Sequence, residues 1–233
     1  MGLTPWALSA LKKTTLLGQA TTIDGKLMTL HEHDGVFMIR IAGVELMSSR
    51  QHASEERLAE LACDHIRTKS PGARVLIGGL GLGFTLRAAL KNLAADAAVT
   101  VAEMMPAVVG WNREPEYKLG KDALADPRVK VIVGDVTDVL RNSRREFDSI
   151  ILDIDNGASG LSAASNSRLY KAVGLATIRS ALRPDGCLAI WSASDDPPFV
   201  QVLRQSGFTV TVERARTHPG GGGWNAIFIG RVA

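Results

Sequence analysis

The chain has 233 residues, 45% of them apolar and 22% charged, and its 27 Lys and Arg nearly balance its 24 Asp and Glu. This composition is typical of a globular protein with one or two domains and excludes a disordered tail, a collagen-like rod and a disulfide-stapled miniprotein. The basic residues are scattered, so we expect no nucleic-acid partner. No apolar run reaches the roughly 18 residues of a membrane span. The short apolar run at 6–11 precedes Lys12-Lys13, which is the reverse of the charge order in a secretory signal, so we do not expect it to act as one. We therefore expect a cytoplasmic protein without a membrane partner.

Two cysteines, Cys63 and Cys187, lie far apart in the sequence, each within an apolar run. This placement predicts buried thiols in a reducing compartment. His31 and His33 alternate along a predicted strand without further Cys or His ligands at suitable spacing, so we expect no metal site.

Residues 1–50 are predicted to form a small antiparallel β-region with three or four strands. Asp24-Gly25 and Asp34-Gly35 each lie between apolar stretches, which is typical of β-hairpin turns. A change to helical spacing then predicts a connecting helix over about 49–68. Residues 51–233 are expected to form a second, nucleoside-binding α/β domain.

After Pro71-Gly72, predicted strands and helices alternate. The strands are predicted at 74–78, 99–102, 129–133, 149–152 and 187–191, and the helices at 84–93, 105–113, 136–141, 167–182 and 198–206. Two further strands, at 208–212 and 224–229, follow without a helix between them. This order predicts a Rossmann-like α/β fold of the class I methyltransferase type, with a seven-stranded, mostly parallel sheet and one antiparallel edge strand.

A glycine-rich turn, Gly79-x-Gly81-x-Gly83, follows the first strand of this domain and precedes a helix. Glycines are needed where the backbone turns sharply and approaches a ligand closely. Glu103 lies at the end of the next strand, where its carboxylate can accept hydrogen bonds from both ribose hydroxyls of a nucleoside. The alternative is a structural glycine turn with an incidental surface acid.

Gly134 and Asp135 follow the third strand of the domain. Because the carboxyl ends of parallel strands meet at one edge of a sheet, Asp135 is placed to meet an adenine amino group bound beside the glycine turn. These residues complete the predicted nucleoside-binding set. A phosphate-binding loop of the kinase type is disfavoured, because the Gly-Lys-Ser/Thr sequence is absent.

An acidic segment, Asp153-Ile154-Asp155-Asn156-Gly157, follows the apolar strand at 149–152. In an extended segment Asp153 and Asp155 point in the same direction, so both can reach one cationic group. A carboxylate at this strand end can hold an ammonium substrate and accept its proton, which makes these two residues the catalytic candidates. The alternative is that one of them caps the following loop.

These motifs resemble the spermidine synthase family, the polyamine aminopropyltransferases, over nearly the whole chain. Residues 75–87 are similar to the family's glycine-rich nucleotide loop, 126–135 to its adenine-binding stretch, and 147–153 to the strand that leads to its catalytic aspartate. The resemblance implies that Asp153 is the counterpart of that aspartate. It also implies a small N-terminal β-domain, decarboxylated S-adenosylmethionine as the donor, methylthioadenosine as a product, and dimers or larger oligomers, of which we expect a homodimer.

The polyamine side of the chain departs from the family pattern. The family's second acid is moved to Asp155 or replaced by Asn156, and a family Gln becomes Glu45. A family Tyr-Gln pair falls on Ser54-Glu55, and a late Tyr-Pro falls on His218-Pro219, close to Trp224. Such changes alter the shape of an amine pocket without removing its negative character. The candidate substrate-binding residues are Glu45, Asn156, His218 and Trp224.

We therefore predict a spermidine synthase-like aminopropyltransferase that acts on a small-molecule amine. One alternative is a methyltransferase that uses S-adenosylmethionine itself, because the same sheet supports both reactions. A second alternative is a non-catalytic nucleoside-binding relative.

Overall fold

The computed structural model describes residues 13–66, 71–117, 119–154 and 168–232. The chain folds as two compact units, one up to Arg50 and one from Gln51 onward. Within the described ranges, no helix combines the length and the apolar character needed to cross a membrane.

The N-terminal unit is a four-stranded antiparallel sheet in the order β1-β2-β3-β4, which confirms the predicted β-region. The backbone at Asp34 and Gly35 has φ values of 54° and 76°, so both residues of this predicted turn adopt the left-handed conformation of a tight hairpin. The strands are β1 (Thr15–Thr21), β2 (Leu27–His33), β3 (Val36–Ile41) and β4 (Val44–Ser48).

The second unit alternates helices and strands as the sequence predicts. A short 3-10 helix, Pro115–Tyr117, lies before α4, and neither of these two elements was predicted. The helices are α1 (Ala53–Cys63), α2 (Phe84–Asn92), α3 (Pro106–Arg113), α4 (Lys121–Leu124), α5 (Val136–Arg141), α6 (Ala172–Ala181) and α7 (Pro197–Gln205). The strands are β5 (Arg74–Gly78), β6 (Ala98–Glu103), β7 (Val129–Val133), β8 (Phe147–Leu152), β9 (Leu182–Ser192), β10 (Phe208–His218) and β11 (Gly221–Val232).

The seven strands of this unit form one sheet in the order β10-β11-β9-β8-β5-β6-β7. Strands β5 to β9 pair in parallel, and β11 runs antiparallel to both of its neighbours. The predicted fold class is confirmed. From the central β5 the chain adds β6 and β7 on one side and then β8 and β9 on the other side. This change of side next to β5 opens a ligand crevice at the carboxyl ends of the strands.

The predicted position of the antiparallel strand was wrong, because β11 lies inside the sheet and β10 forms the edge. Residues 225–230 of β11 are all buried, whereas most of β10 is exposed. Burial stabilises a continuous apolar run such as that of β11 most when a strand lies on each side of it. The run in β10 alternates apolar and polar residues, so it suits the edge of the sheet, where one side stays exposed to water. The hairpin therefore folds back so that its second strand takes the interior position.

The predicted boundary between the helix at 167–182 and the strand at 187–191 was also wrong. Helix α6 ends at Ala181, and β9 begins at once with Leu182. The pairing of β9 with β8 is irregular between Leu182 and Cys187, and Asp185 has a φ of 62°. The Pro-Asp-Gly sequence, read as a helix end, thus forms an irregularity within the strand.

The core packs helices against β8 and β9. Phe199 of α7 makes edge-to-face contacts with Tyr170 and with Phe228 of β11, at ring-centroid distances of 5.7 and 5.4 Å. Cys63 and Cys187 are both fully buried free thiols, as predicted, and burial raises the pKa of each above the ordinary thiol value. This core fixes β8, the strand that carries Asp153 at its carboxyl end.

Candidate active site

The glycine turn, which begins directly after β5, packs against the backbone at Asp153, which directly follows β8. Gly79 has a φ of +90°, and a Cβ atom at this position would lie 2.1 Å from the backbone oxygen of Asp153. The Asp153 amide in turn donates to the Gly78 carbonyl at 2.9 Å. Gly79 is therefore required by the approach of Asp153 as well as by the turn itself.

The rest of the turn is held from outside by side chains that the sequence did not single out. Gly81 and Gly83 have φ values of 51° and 81°, and Gly83 is the N-cap of α2. The buried Asn112 amide donates to the Gly81 carbonyl at 2.8 Å, and the Arg87 guanidinium donates to the Leu82 carbonyl at 3.2 Å. Both contacts fix the path of the loop, and nothing in the spacing of Arg87 or Asn112 could have indicated them.

Glu103 lies at the end of β6 and is buried. Its Oε2 accepts a hydrogen bond from the Leu80 amide at 2.8 Å, and its Oε1 accepts one from the Met105 amide at 2.7 Å. Burial raises the pKa of this carboxyl, while the backbone amides oppose that shift. Hydrogen bonds from the Gly81 and Met104 amides act in the same direction, so this carboxylate lies among backbone amides of the glycine turn and of the end of β6.

Asp135 is the N-cap of α5, since its Oδ1 accepts from the Thr137 amide at 2.8 Å. This contact uses one of its acceptor positions, and the adenine role stays a prediction. The Gly134 amide donates to the Glu103 carbonyl at 2.9 Å and so ties the ends of β6 and β7 together. A Cβ atom at Gly134 would meet no atom within 4 Å, so the local backbone does not require a glycine there.

Asp153 follows β8 directly and its side chain is held from α2. The Thr85 hydroxyl donates to Asp153 Oδ2 at 2.6 Å. Burial raises the pKa of the Asp153 carboxyl, the Thr85 hydrogen bond opposes this shift, and repulsion from Glu103 adds to it. The result is a carboxyl group that binds a proton more readily than an ordinary aspartate does.

Glu55, in the first turn of α1, is a second carboxylate close to Asp153 that was not among the candidate residues. Burial and the negative charge of Asp153 raise its pKa. The neighbouring Ser54 hydroxyl donates to Glu55 Oε2 at 3.4 Å and accepts from the Trp191 indole at 3.0 Å. The sequence did offer one signal, because the Ser54-Glu55 pair falls on a Tyr-Gln position of the resembled family.

Trp224 and His218, two candidate substrate residues, lie at the tip of the β10–β11 hairpin. Ala226 pairs with Ser192 at the carboxyl end of β9, so the hairpin extends beyond that end. Asp153 follows the carboxyl end of the parallel neighbour β8, so both lie on the side of the sheet where the parallel strands end. Trp224 is 52% exposed and lies under the Arg216 guanidinium at 4.1 Å, while His218 Nδ1 accepts from the Gly220 amide. Strand β9 separates this hairpin from β8.

The remaining candidates lie elsewhere. Asp155 and Asn156 fall outside the described residues. Glu45 is exposed on β4 of the N-terminal unit. Within the described ranges, no group of three or more His, Cys, Asp or Glu side chains could hold a metal ion.

The second unit is an α/β domain of the methyltransferase type. It has a glycine turn after the central strand and carboxylates at the ends of β6 and β8. No protein-family model matches the chain. Polyamine aminopropyltransferase 1 of Streptomyces coelicolor is 33% identical over 153 residues, which are 65% of this chain and 27% of that protein. The polyamine aminopropyltransferase of a Thermoanaerobacter species is 27% identical over 197 residues, 84% of this chain and 60% of that protein.

The chain is thus similar in sequence to polyamine aminopropyltransferases, the proteins that its motifs resemble. The crystal structure of spermidine synthase from Thermotoga maritima superposes with a TM-score of 0.68 at 18% identity, covering 94% of this chain and 72% of that one. This likeness confirms the fold. The chain spans less than two thirds of the length of the two curated relatives.

Proposed function

We propose that this chain is an aminopropyltransferase that moves an aminopropyl group from decarboxylated S-adenosylmethionine to a small amine. The observation that carries the proposal is the position of Asp153, a carboxylate with a raised pKa directly beside the glycine turn, with Glu55 close to it. A cationic amine substrate relieves the repulsion between these two acids. An acceptor and a donor that both carry amino groups suit such a site.

The donor nucleoside fits the residues on the other side of the turn. Gly79, Gly81 and Gly83 carry no side chain that would obstruct a ligand. We assign the Glu103 carboxylate, which the Leu80 and Met105 amides hold beside the turn, to the two ribose hydroxyls. We assign Gly134 and Asp135 to the adenine end of the same site. The nucleoside would thus lie along the carboxyl ends of β5, β6 and β7.

In the proposed reaction the neutral nitrogen of the acceptor attacks the aminopropyl carbon bonded to the sulfonium sulfur. A carbon–nitrogen bond forms, the carbon–sulfur bond breaks with its electron pair going to sulfur, and methylthioadenosine leaves. The nitrogen loses one proton, which Asp153 accepts. A carboxyl group whose pKa is raised by burial is better matched to this proton transfer than an ordinary aspartate.

The same acids favour the decarboxylated donor over S-adenosylmethionine. The carboxylate that the intact methyl donor retains would disfavour the ionisation of Asp153 and Glu55 further, whereas the ammonium group of the decarboxylated donor favours their ionised forms. This preference for the decarboxylated donor distinguishes the proposed aminopropyltransferase from a methyltransferase, which would bind the intact donor.

The acceptor side of the proposal includes Asp155 as a second catalytic acid and Glu45, Asn156, His218 and Trp224 as substrate-binding residues. Their acidic and aromatic character suits an elongated amine. We also propose a cytoplasmic homodimer, and light scattering on the purified protein tests the oligomeric state directly.

Calorimetric titration of the purified protein with decarboxylated S-adenosylmethionine, and separately with S-adenosylmethionine, tests the donor. We expect tighter binding of the decarboxylated form and formation of methylthioadenosine when putrescine or a longer amine is added. In Glu103→Ala both ligands should bind about 10-fold or more weakly, because charge-assisted hydrogen bonds to the ribose are lost. Tighter binding of the intact form with methyl transfer would establish the methyltransferase alternative, and binding without turnover of any amine would establish the non-catalytic one.

A further inference from the structure

We propose that Thr85 is a positioning residue for the reaction, whose hydroxyl holds Asp153 Oδ2 and leaves Oδ1 to take the proton of the acceptor amine. This inference deepens the proposed function and rests on the role of Asp153 as the proton acceptor. The glycine-rich motif itself does not indicate Thr85, which lies two residues beyond the last glycine.

The geometry suits a fixed contact. Thr85 is the second residue of α2 and is 2% exposed, so its hydroxyl cannot exchange Asp153 for bulk water. A β-branched side chain in a helix has few χ1 rotamers, which limits the positions of Oγ1. The Oγ1–Oδ2 distance of 2.6 Å is that of a hydroxyl donating to an ionised carboxylate.

The contact also couples the two halves of the site. Helix α2 begins directly after Gly83, the last glycine of the nucleoside turn, and Thr85 lies in the first turn of this helix. The same short segment therefore shapes the donor loop and holds the group that activates the acceptor. A shift of α2 on donor binding would move both together.

Three groups act on the charge of Asp153 from three different elements. Glu55 of α1 and Glu103 at the end of β6 both disfavour the ionised form by repulsion, in addition to burial. The Thr85 hydroxyl of α2 favours the ionised form. Removal of this hydroxyl therefore leaves the repulsive contributions unopposed and makes Asp153 hold a proton to higher pH, where it cannot accept another one.

The experiment compares Thr85→Val, which keeps the shape but loses the donor, with Thr85→Ser, which keeps the donor. Thr177→Val is the matched control, because Thr177 is also a helical threonine and its hydroxyl donates to the Val173 carbonyl of its own helix, α6. The measurements are kcat against pH, donor affinity by calorimetry, and the titration of the Asp153 carboxyl by carbon-13 NMR, assigned with Asp153→Asn.

For Thr85→Val we expect the acidic limb of the pH profile to move up by about one unit, kcat on that limb to fall about 10-fold, and donor affinity to stay within about 3-fold. The NMR titration should move in the same direction, and Thr85→Ser should restore wild-type behaviour. An unchanged pH limb and NMR titration in Thr85→Val, or failure of serine to restore them, would overturn the proposal. If Thr85→Val does not fold, Thr85→Ala takes its place in the same comparison.

The two proposals fail in different ways. If the wild-type protein transfers no aminopropyl group, the proposed function is wrong, but the NMR titration still decides whether Thr85 controls the ionisation of Asp153. If transfer occurs and the titration is insensitive to Thr85, only the positioning role is lost.

Discussion

The candidate site has a proposed nucleoside half (the glycine turn, Glu103, Gly134 and Asp135) and a proposed acceptor half (Glu55, Thr85, Asp153 and the hairpin tip at Trp224), and the two are built in different ways. In the nucleoside half, backbone atoms make most of the contacts: the Leu80 and Met105 amides bind Glu103, and Gly134 donates to the Glu103 carbonyl. In the acceptor half, side chains from α1, α2 and β8 meet, and the hairpin tip at Trp224 lies at the same sheet edge. A site formed by backbone atoms depends on a few glycines and tolerates substitutions of the neighbouring side chains. A site formed by side chains changes its shape and charge when those side chains are substituted.

This difference explains where the chain departs from the family pattern. The glycines of the turn and Glu103 retain the pattern, because their positions are set by the ends of β5 and β6, whereas Leu82 within the turn stands where the family usually has Asp. Ser54-Glu55 and His218-Pro219 replace other residue types at positions where the backbone imposes no such condition. If the proposed function holds, substitutions in the acceptor half can therefore change the preferred amine without altering the donor half.

The largest expected effect is that of Asp153→Asn on turnover. Asparagine keeps the shape and can still accept the Thr85 hydrogen bond, but it cannot accept a proton, so kcat should fall by about 10²–10⁴-fold. Donor affinity should stay within a few fold, because the proposed nucleoside contacts are assigned to other residues. Steady-state kinetics and calorimetry measure the two quantities, and the exposed Asp138→Asn in α5 is the control. A large loss of donor affinity would place Asp153 in the nucleoside half instead.

A second prediction compares two glycines of the nucleoside half. In Gly79→Ala the new Cβ atom would collide with the Asp153 carbonyl, and the φ of +90° is strained for alanine, so we expect a loss of about 2–4 kcal/mol in stability and weak donor binding. In Gly134→Ala the Cβ atom would meet open space, so the free energy of unfolding should change by less than about 0.5 kcal/mol.

Chemical denaturation of both glycine variants measures the difference. Equal destabilisation by the two substitutions would show that the contact between Gly79 and Asp153 does not constrain the turn. A normal stability with lost donor affinity in Gly134→Ala would show that the glycine there is needed by the ligand alone.

The sequence predicted the elements of the sheet well, because strands such as β7 and helices such as α5 have clear periodicity and end signals. The place of β11 inside the sheet could not be read from periodicity of single elements, since it depends on which of two neighbouring strands gains more from burial. The Pro-Asp-Gly run before Cys187 was misleading for the same reason, because the irregular pairing of β9 with β8 overrides a local turn preference.

The candidate site was predicted in part. Gly79 and Asp153 follow strand ends, so topology alone brings them to one edge. Glu55 and Thr85 lie within helices, where only the folded packing shows which side chains lie close to Asp153. Glu55 and Thr85 lie 98 and 68 positions before Asp153 in the sequence, and no spacing pattern predicts contacts over such separations.

The pH dependence of stability sharpens the view of the acceptor half. Because the pKa of Glu55 is raised in the folded protein, its contribution to stability is present at acidic pH and is lost as the pH rises through that raised pKa. Glu55→Gln removes the penalty of burying the charge, so its Tm should exceed that of the wild type by about 2–6 °C at pH 8.5 and by much less at pH 5.

Glu60→Gln is the matched control for this comparison, since Glu60 lies on the exposed side of the same helix and pairs with Arg57 at the surface. Its Tm should follow that of the wild type at both pH values. A Tm difference for Glu55→Gln that does not change with pH would show that Glu55 carries no buried charge beside Asp153.

The smallest expected effect concerns the hairpin tip. Trp224→Ala removes a 52% exposed ring and its stacking with Arg216, so the free energy of unfolding should change by no more than about 1 kcal/mol. Because the tip lies at the edge of the sheet that holds Asp153, the KM for the acceptor amine should rise about 2–5-fold while kcat and donor affinity stay unchanged. Val212→Ala, an exposed apolar position on the same β10–β11 hairpin, should leave KM unaltered. Equal KM values in all three proteins would remove the hairpin tip from the acceptor half and confine amine recognition to the carboxylates around Asp153.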